Sequence, residues 1–171
     1  IKAVQLREKD LLFHDLLPTA QNLRELTRNY GARLFINGNL DVALTVDADG
    51  VHLPSINPPI ELARSILGDK ALIGVSTHAV EEVLTAAGAG ADFVTFGPVF
   101  PTPSKAEYGE PVGLEKLKHV CQASPVPVFA LGGVTPERTS ELRQAGCNRF
   151  ACIGAILNAD EPRTVAEKFN S

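Results

Sequence analysis

Gly88-Ala89-Gly90-Ala91-Asp92-Phe93-Val94 reads as a helix exit running straight into a strand. The chain repeats that plan at Ala145–Ala151 (Ala-Gly-Cys-Asn-Arg-Phe-Ala) and at Asp47–His52 (Asp-Ala-Asp-Gly-Val-His). Around these junctions short apolar, β-branched runs alternate with longer segments of helical period, as βα units on a parallel sheet do. Seven units are read. The strands are Ala3–Leu6, Arg33–Ile36, Gly50–Leu53, Leu72–Val75, Phe93–Phe96, Val128–Leu131 and Arg149–Ile153. The helices fall near Leu16–Asn29, Leu40–Val46, Pro59–Leu67, Ala79–Ala87, Leu114–Ala123, Glu137–Ala145 and Arg163–Phe169. Recurrence of one unit favours an α/β closed (β/α)8 TIM barrel over an open doubly wound sheet. The expectation is one barrel domain over residues 1–171, N-terminally incomplete. Its first βα unit is absent and expected before Ile1, because an open barrel would expose two sheet edges.

The 171 residues are 44% hydrophobic and 21% charged, enough for one sizeable core. A net charge of -4 and a pI near 5.6 offer no basic surface for nucleic acid or an anionic membrane. No apolar run is long enough for a bilayer, and Ile1-Lys2-Ala3-Val4 lacks the graded regions of a secretory signal. A cytoplasmic protein acting on small molecules, as monomer or homodimer, is the default. Cys121, Cys147 and Cys152 are odd in number and lack Cys-x-x-Cys spacing, so reduced, structural thiols are expected rather than disulfides or a zinc site.

Four segments carry candidate chemistry. In Val4-Gln5-Leu6-Arg7-Glu8-Lys9, strand alternation sends Gln5, Arg7 and Lys9 one way and Val4 and Leu6 the other. Inward cations are costly unless an anion meets them, so a phosphorylated ligand is one explanation and an ion pair with Glu8 or Asp10 is the other. Gly132-Gly133 after a strand, with Thr135-Pro136 fitting a helix start, lets backbone amides approach an oxyanion. With Ile153-Gly154 after the last strand it resembles the phosphate site many barrels build there. The bland alternative, tight turns only, applies above all to Gly132. Ser76 and His78, at a strand's carboxyl end, could bind a ligand or relay a proton; His78 could equally cap the next helix. Finally, Gly97-Pro98-Val99-Phe100-Pro101-Thr102-Pro103-Ser104-Lys105 is a proline-stiffened loop presenting two hydroxyls and an ammonium. His14 and His119 read as surface residues, and His52 as a packed strand histidine.

Gln-x-Arg-Glu-Lys at Gln5–Lys9, Gly-Val-Ser-Thr-His at Gly74–His78, Phe-Gly-Pro-Val-Phe-Pro-Thr at Phe96–Thr102 and Gly-Gly-Val at Gly132–Val134 together resemble the thiamine phosphate synthase and TenI family. The resemblance extends from Gln5 to about Phe169. It implies a (β/α)8 barrel whose synthase branch joins a hydroxymethylpyrimidine pyrophosphate to a thiazole phosphate, releasing pyrophosphate with magnesium. The TenI branch aromatises the thiazole phosphate. Carried over, Gln5, Arg7 and Lys9 would meet the pyrimidine pyrophosphate, and Asn37 and Ser76 the pyrimidine side. Thr102, Ser104 and Lys105 would contact the thiazole phosphate and pyrophosphate. Gly133, Ile153 and Gly154 would hold the thiazole phosphate through their amides. Lys105, Ser76 and His78 are the candidate catalytic residues.

The chain departs from the synthase pattern at two magnesium carboxylates, where Gly38 and Asn57 stand. No protein-held metal is therefore expected, with Mg2+ needed only if condensation is retained. Asn37-Gly38 and Leu53-Pro54-Ser55 look more like the TenI branch, although Pro98 stands where TenI has its catalytic histidine. The favoured expectation is a TenI-like protein binding thiazole phosphate or thiamine phosphate, with tautomerase or residual condensation chemistry. The alternatives are an active thiamine phosphate synthase and a non-catalytic, thiamine-phosphate-binding regulatory barrel.

Overall fold

The structure, a computed structural model, describes residues 1–8, 10–54, 58–102 and 110–169. Strand and helix alternate as β1 (Ala3–Leu6), α1 (Phe13–Asn29), β2 (Arg33–Asn37), α2 (Leu40–Thr45), β3 (Gly50–Leu53), α3 (Ile60–Leu67), β4 (Leu72–Thr77), α4 (Val80–Gly88) and β5 (Phe93–Phe96). The remainder is α5 (Gly113–Ala123), β6 (Val128–Ala130), a 3-10 turn at Pro136–Arg138, α6 (Thr139–Gln144), α7 (Gly154–Leu157) and α8 (Pro162–Lys168). The result is an α/β fold with six parallel strands. No described helix is long and apolar enough to cross a membrane.

The chain divides into two compact units, Ile1–Ser76 with Gly88–Asp92, and Thr77–Ala87 with Phe93–Ser171. In the first, β1 pairs β2, β2 pairs β3 and β3 pairs β4, all parallel. The apolar members of the alternating pattern, Leu6, Leu34, Ile36, Val51, Leu53, Ile73 and Val75, are buried. With Leu16, Ala20, Val42, Ala43 and Ala63 from α1, α2 and α3 they make the core of that unit. In the second, β5 pairs β6 in register Val94↔Val128 and Phe96↔Ala130, and these four residues are buried with Leu117, Val120 and Leu142 of α5 and α6.

The seventh strand expected at Arg149–Ile153 is reduced to a single bridge, Ala130↔Phe150. Ala130 still completes a parallel pair, donating to the Arg149 carbonyl and accepting from the Ala151 amide, both at 2.9 Å. One register step earlier, the Cys147 thiol lies 3.5 Å from the Val128 carbonyl that a continuing ladder would offer to a strand amide. One step later, the Gly132 carbonyl accepts from Phe100 at 3.1 Å. The same thiol lies closer, at 3.0 Å, to the Arg149 carbonyl, and among the described residues the ladder continues on neither side of the bridge. The three cysteines are free thiols, as expected. The helix expected at Glu137–Ala145 opens instead as the 3-10 turn, with Pro136 in its first position and no side-chain cap from Thr135.

The repeated junctions acquire a common physical role in the first unit. Asp49, just before β3, accepts the Leu34 amide of β2 at 2.8 Å and pairs with Arg24 of α1. Asp92, just before β5, accepts the Ile73 amide of β4 at 2.7 Å and pairs with Arg64 of α3 at 2.7 Å. Each carboxylate ties a strand start to its neighbour and to a helix, through charge-assisted bonds stronger than neutral ones. Partial burial pushes the Asp49 carboxyl up, but the Leu34 amide and the Arg24 guanidinium outweigh it and hold the group below its ordinary value of 3.8. Asp49→Ala should therefore cost about 2–3 kcal/mol in denaturant unfolding at neutral pH, because it strands both donors. A wild-type-like midpoint for that variant would contradict the clamp.

Candidate functional site

Parallel pairing keeps partnered residues on one face, so the register of the first unit defines a polar surface. Gln5 pairs with Phe35, Asn37 with His52, and His52 with Gly74. Two residues on from Gly74, Ser76 points the same way. Gln5, Asn37, His52 and Ser76 therefore share the face opposite Leu6, Ile36, Val51 and Val75. The Gln5 amide nitrogen donates to the Asn37 side-chain oxygen at 2.9 Å, across 32 residues of sequence. Gly38 follows Asn37 and donates its amide to the His52 carbonyl at 3.0 Å.

Arg7 is exposed just past the end of β1, and its charge reaches His52. The histidine was expected to pack in a strand, and it does, at 4% exposure. Its face was the part left unread: Val51 and Leu53 flank it on the helix-facing side, so parity alone sends its ring to the polar surface. Burial, reinforced by the Arg7 cation, pushes the imidazole down to about 4. A neutral ring beside a guanidinium can accept or donate one hydrogen bond to a ligand without adding to the positive charge. Lys9 and Asn57 lie outside the described residues.

In the second unit the loop after β5 lies along the loop after β6. The Val99 amide donates to the Leu131 carbonyl at 2.8 Å and the Phe100 amide to the Gly132 carbonyl at 3.1 Å. Contact is close enough to require glycine. At Gly132, with φ +92°, a Cβ would stand 2.4 Å from Pro98 Cβ. At Gly133, with φ +63°, it would stand 2.7 Å from the Pro101 carbonyl oxygen and 2.8 Å from Phe100 Cβ. The turn reading held open for Gly132 is thus part of the answer, since both glycines admit the neighbouring loop. The Gly133 amide donates to nothing among the described residues.

The remaining candidates are distributed as follows. Thr102, half-buried, ends the described part of the β5 loop, while Ser104 and Lys105 lie outside the described residues. Ile153 is 59% exposed and caps α7, whose first residue is Gly154. His78 Nδ1 lies 2.5 Å from the Gly97 carbonyl, so that nitrogen carries the proton and donates. Its amide donates to Glu82 at 2.6 Å, which makes His78 part of the entry to α4. Arg138 carries no signal in the sequence and Phe100 stands there only as part of the proline-rich loop; packing brings them together, with the Arg138 guanidinium carbon 4.6 Å from the Phe100 ring centroid.

Residues 1–156 match the family model described as thiamine monophosphate synthase, TMP-TENI. A protein of Geobacter sulfurreducens, provisionally named a thiamine-phosphate synthase, is 48% identical over 95% of this chain and 76% of its own length. The thiamine-phosphate synthase of Clostridium novyi is 41% identical over 92% of this chain and 78% of the relative. Among solved structures, thiamine phosphate pyrophosphorylase from Pyrococcus furiosus superposes with a TM-score of 0.90 at 36% identity, covering 99% of this chain and 81% of that one.

Two measurements check the geometry of these surfaces. Gly132→Ala should be less stable than Gly90→Ala by about 1–3 kcal/mol, since both positions have positive φ but only Gly132 has a neighbour to overlap; equal losses would refute the close approach. For His52, the unfolded ring takes up a proton near 6.5 and the folded ring only near 4. Stability should fall as pH drops from 6.5 towards 4, and His52→Gln should flatten that limb of a pH titration of unfolding.

Proposed function

This chain belongs to the thiamine monophosphate synthase family, and we propose that it is a thiamine phosphate synthase, joining a hydroxymethylpyrimidine pyrophosphate to a thiazole phosphate with release of pyrophosphate. The TenI-like expectation gives way here, because the relatives above carry the synthase name. The observation that supports the reading best is the Gln5–Asn37 hydrogen bond. The family resemblance implies that these residues meet the pyrimidine pyrophosphate and its ring, and they lie together on one polar face beside His52. In the proposed roles, Arg7 faces the pyrophosphate and offers a fixed cation. Asn37, Ser76 and the neutral His52 present donors and acceptors for the pyrimidine ring. Gly133, Ile153 and Gly154 offer backbone amides to the thiazole phosphate, and Thr102 adds a hydroxyl. Lys9, Ser104 and Lys105 keep their sequence-based roles at the two phosphates. The closed eight-unit barrel belongs to the same proposal.

Magnesium is implied by the family, yet Gly38 stands where the resemblance expects one of its carboxylates. Among the described residues no group of three His, Cys, Asp or Glu side chains could hold a metal. Gly38 has no side chain to offer, and magnesium requires hard oxygen ligands in near-octahedral order. Magnesium, where the reaction uses it, would come with the pyrophosphate.

A second reading, a thiazole phosphate binder without condensation, is favoured by one observation, the glycine at position 38 in place of a carboxylate. Both are tested together. With both substrates and magnesium, the parent protein should release pyrophosphate, and Arg7→Ala should lower kcat/KM at least about tenfold, equivalent to about 1.4 kcal/mol. No release, with thermal stabilisation by thiamine phosphate of about 2.7 kcal/mol at a hundred times Kd, would select the binder. Neither release nor stabilisation would overturn both.

A further inference from the structure

We infer that Arg138 is a positioning residue, clamping the loop after β6 against the loop after β5 so that the Gly132–Val134 backbone is preset for a phosphoryl group. The inference rests on the proposed role of Gly133 as a phosphate contact and goes beyond it to a residue outside the family motifs described above.

The geometry lies wholly within the second unit. Arg138 ends the 3-10 turn that follows the glycine pair, and its half-buried side chain folds back over that pair. Its Nη1 donates to the Gly133 carbonyl at 2.6 Å, and its guanidinium carbon sits 4.6 Å from the Phe100 ring centroid. One planar cation therefore grips both loops, by a charge-assisted hydrogen bond on one and by the face of an aromatic ring on the other. Lysine could reach the carbonyl but could not stack, because it lacks the plane.

What the grip does follows from peptide geometry. In a trans peptide the N–H points opposite to the C=O. The Gly132 carbonyl is taken by the Phe100 amide at 3.1 Å, which aims the Gly133 N–H away from the β5 loop. The Gly133 carbonyl is taken by Arg138, which aims the Val134 N–H away from the guanidinium. Two consecutive amides are thus oriented by what holds their carbonyls, and two consecutive amides form the cradle an oxyanion takes. Flexibility here would have to be frozen on binding, at a cost in affinity. Gly133, at φ +63°, needs its missing side chain for this arrangement, since a Cβ would lie 2.7 Å from the Pro101 carbonyl oxygen and 2.8 Å from Phe100 Cβ.

The test separates the clamp from its consequence. In ligand-free protein, hydrogen exchange at the Val99 and Phe100 amides, which bond across to the β6 loop, should accelerate about tenfold in Arg138→Ala and less in Arg138→Lys. In calorimetry, Kd for thiazole phosphate should rise about tenfold in Arg138→Ala, with an intermediate value for Arg138→Lys, while Kd for the pyrimidine pyrophosphate stays within about twofold. Unchanged exchange overturns the inference regardless of ligand binding. Equal weakening of both ligands, tracking a lower Tm, also overturns it, in favour of a general structural role. A parent protein that binds no thiazole phosphate defeats the phosphate-site reading itself, and the exchange measurement still decides whether Arg138 holds the loops.

Discussion

The polar face of the first unit depends on strand register. Because side chains alternate with a period of two and parallel partners share a face, the pairs Gln5↔Phe35, Asn37↔His52 and His52↔Gly74 gather polar groups from different strands onto one surface. A slip by one residue would bring Leu6, Ile36 and Val51 to that surface and bury the polar set among helices. The fully buried Leu34, Ile36, Val51 and Ile73 oppose such a slip, since each would surrender an apolar contact area worth about 1.5–3 kcal/mol. The hydrophobic core therefore specifies the polar face indirectly, by leaving it the only place those side chains can go.

The second unit reaches its arrangement by close backbone approach. The loops after β5 and β6 bond to each other through main-chain groups, and Gly132 and Gly133 admit Pro98, Phe100 and Pro101 at distances no side chain would allow. The Gly132 and Gly133 carbonyl oxygens are both held, by the Phe100 amide and the Arg138 guanidinium, while the Gly133 amide has no partner among the described residues. The proline-rich composition of the β5 loop fits this arrangement, because a stiff chain loses less entropy when pinned at several points.

Much of this was legible from sequence, and the exceptions have physical reasons. The bounds of β1, β3 and β5 follow directly from apolar alternation and the turn residues flanking them. That Gln5 and Asn37 serve one substrate was implied only by the family resemblance, and their contact emerges from the register. The seventh strand has the composition of a strand, but its pairing with β6 is a single bridge, a matter of contacts in space that no periodicity records. The four residues of α7 are too few to show a helical period. His52 was read correctly as buried, but its direction required counting parity from Val51. Arg138 gave no signal at all, since a cation five residues beyond a glycine pair is ordinary until its ring partner, Phe100, is seen in space.

The two aspartates before β3 and β5 sit at the amino ends of their strands, whereas Asn37, Ser76 and Arg7 sit at or beyond carboxyl ends. The first unit thus keeps its fastening and these polar side chains at opposite poles. Substitutions among these polar side chains can therefore drift without loosening the ion pairs that hold strand to helix, so the surface at the carboxyl ends is free to change while the scaffold stays fastened.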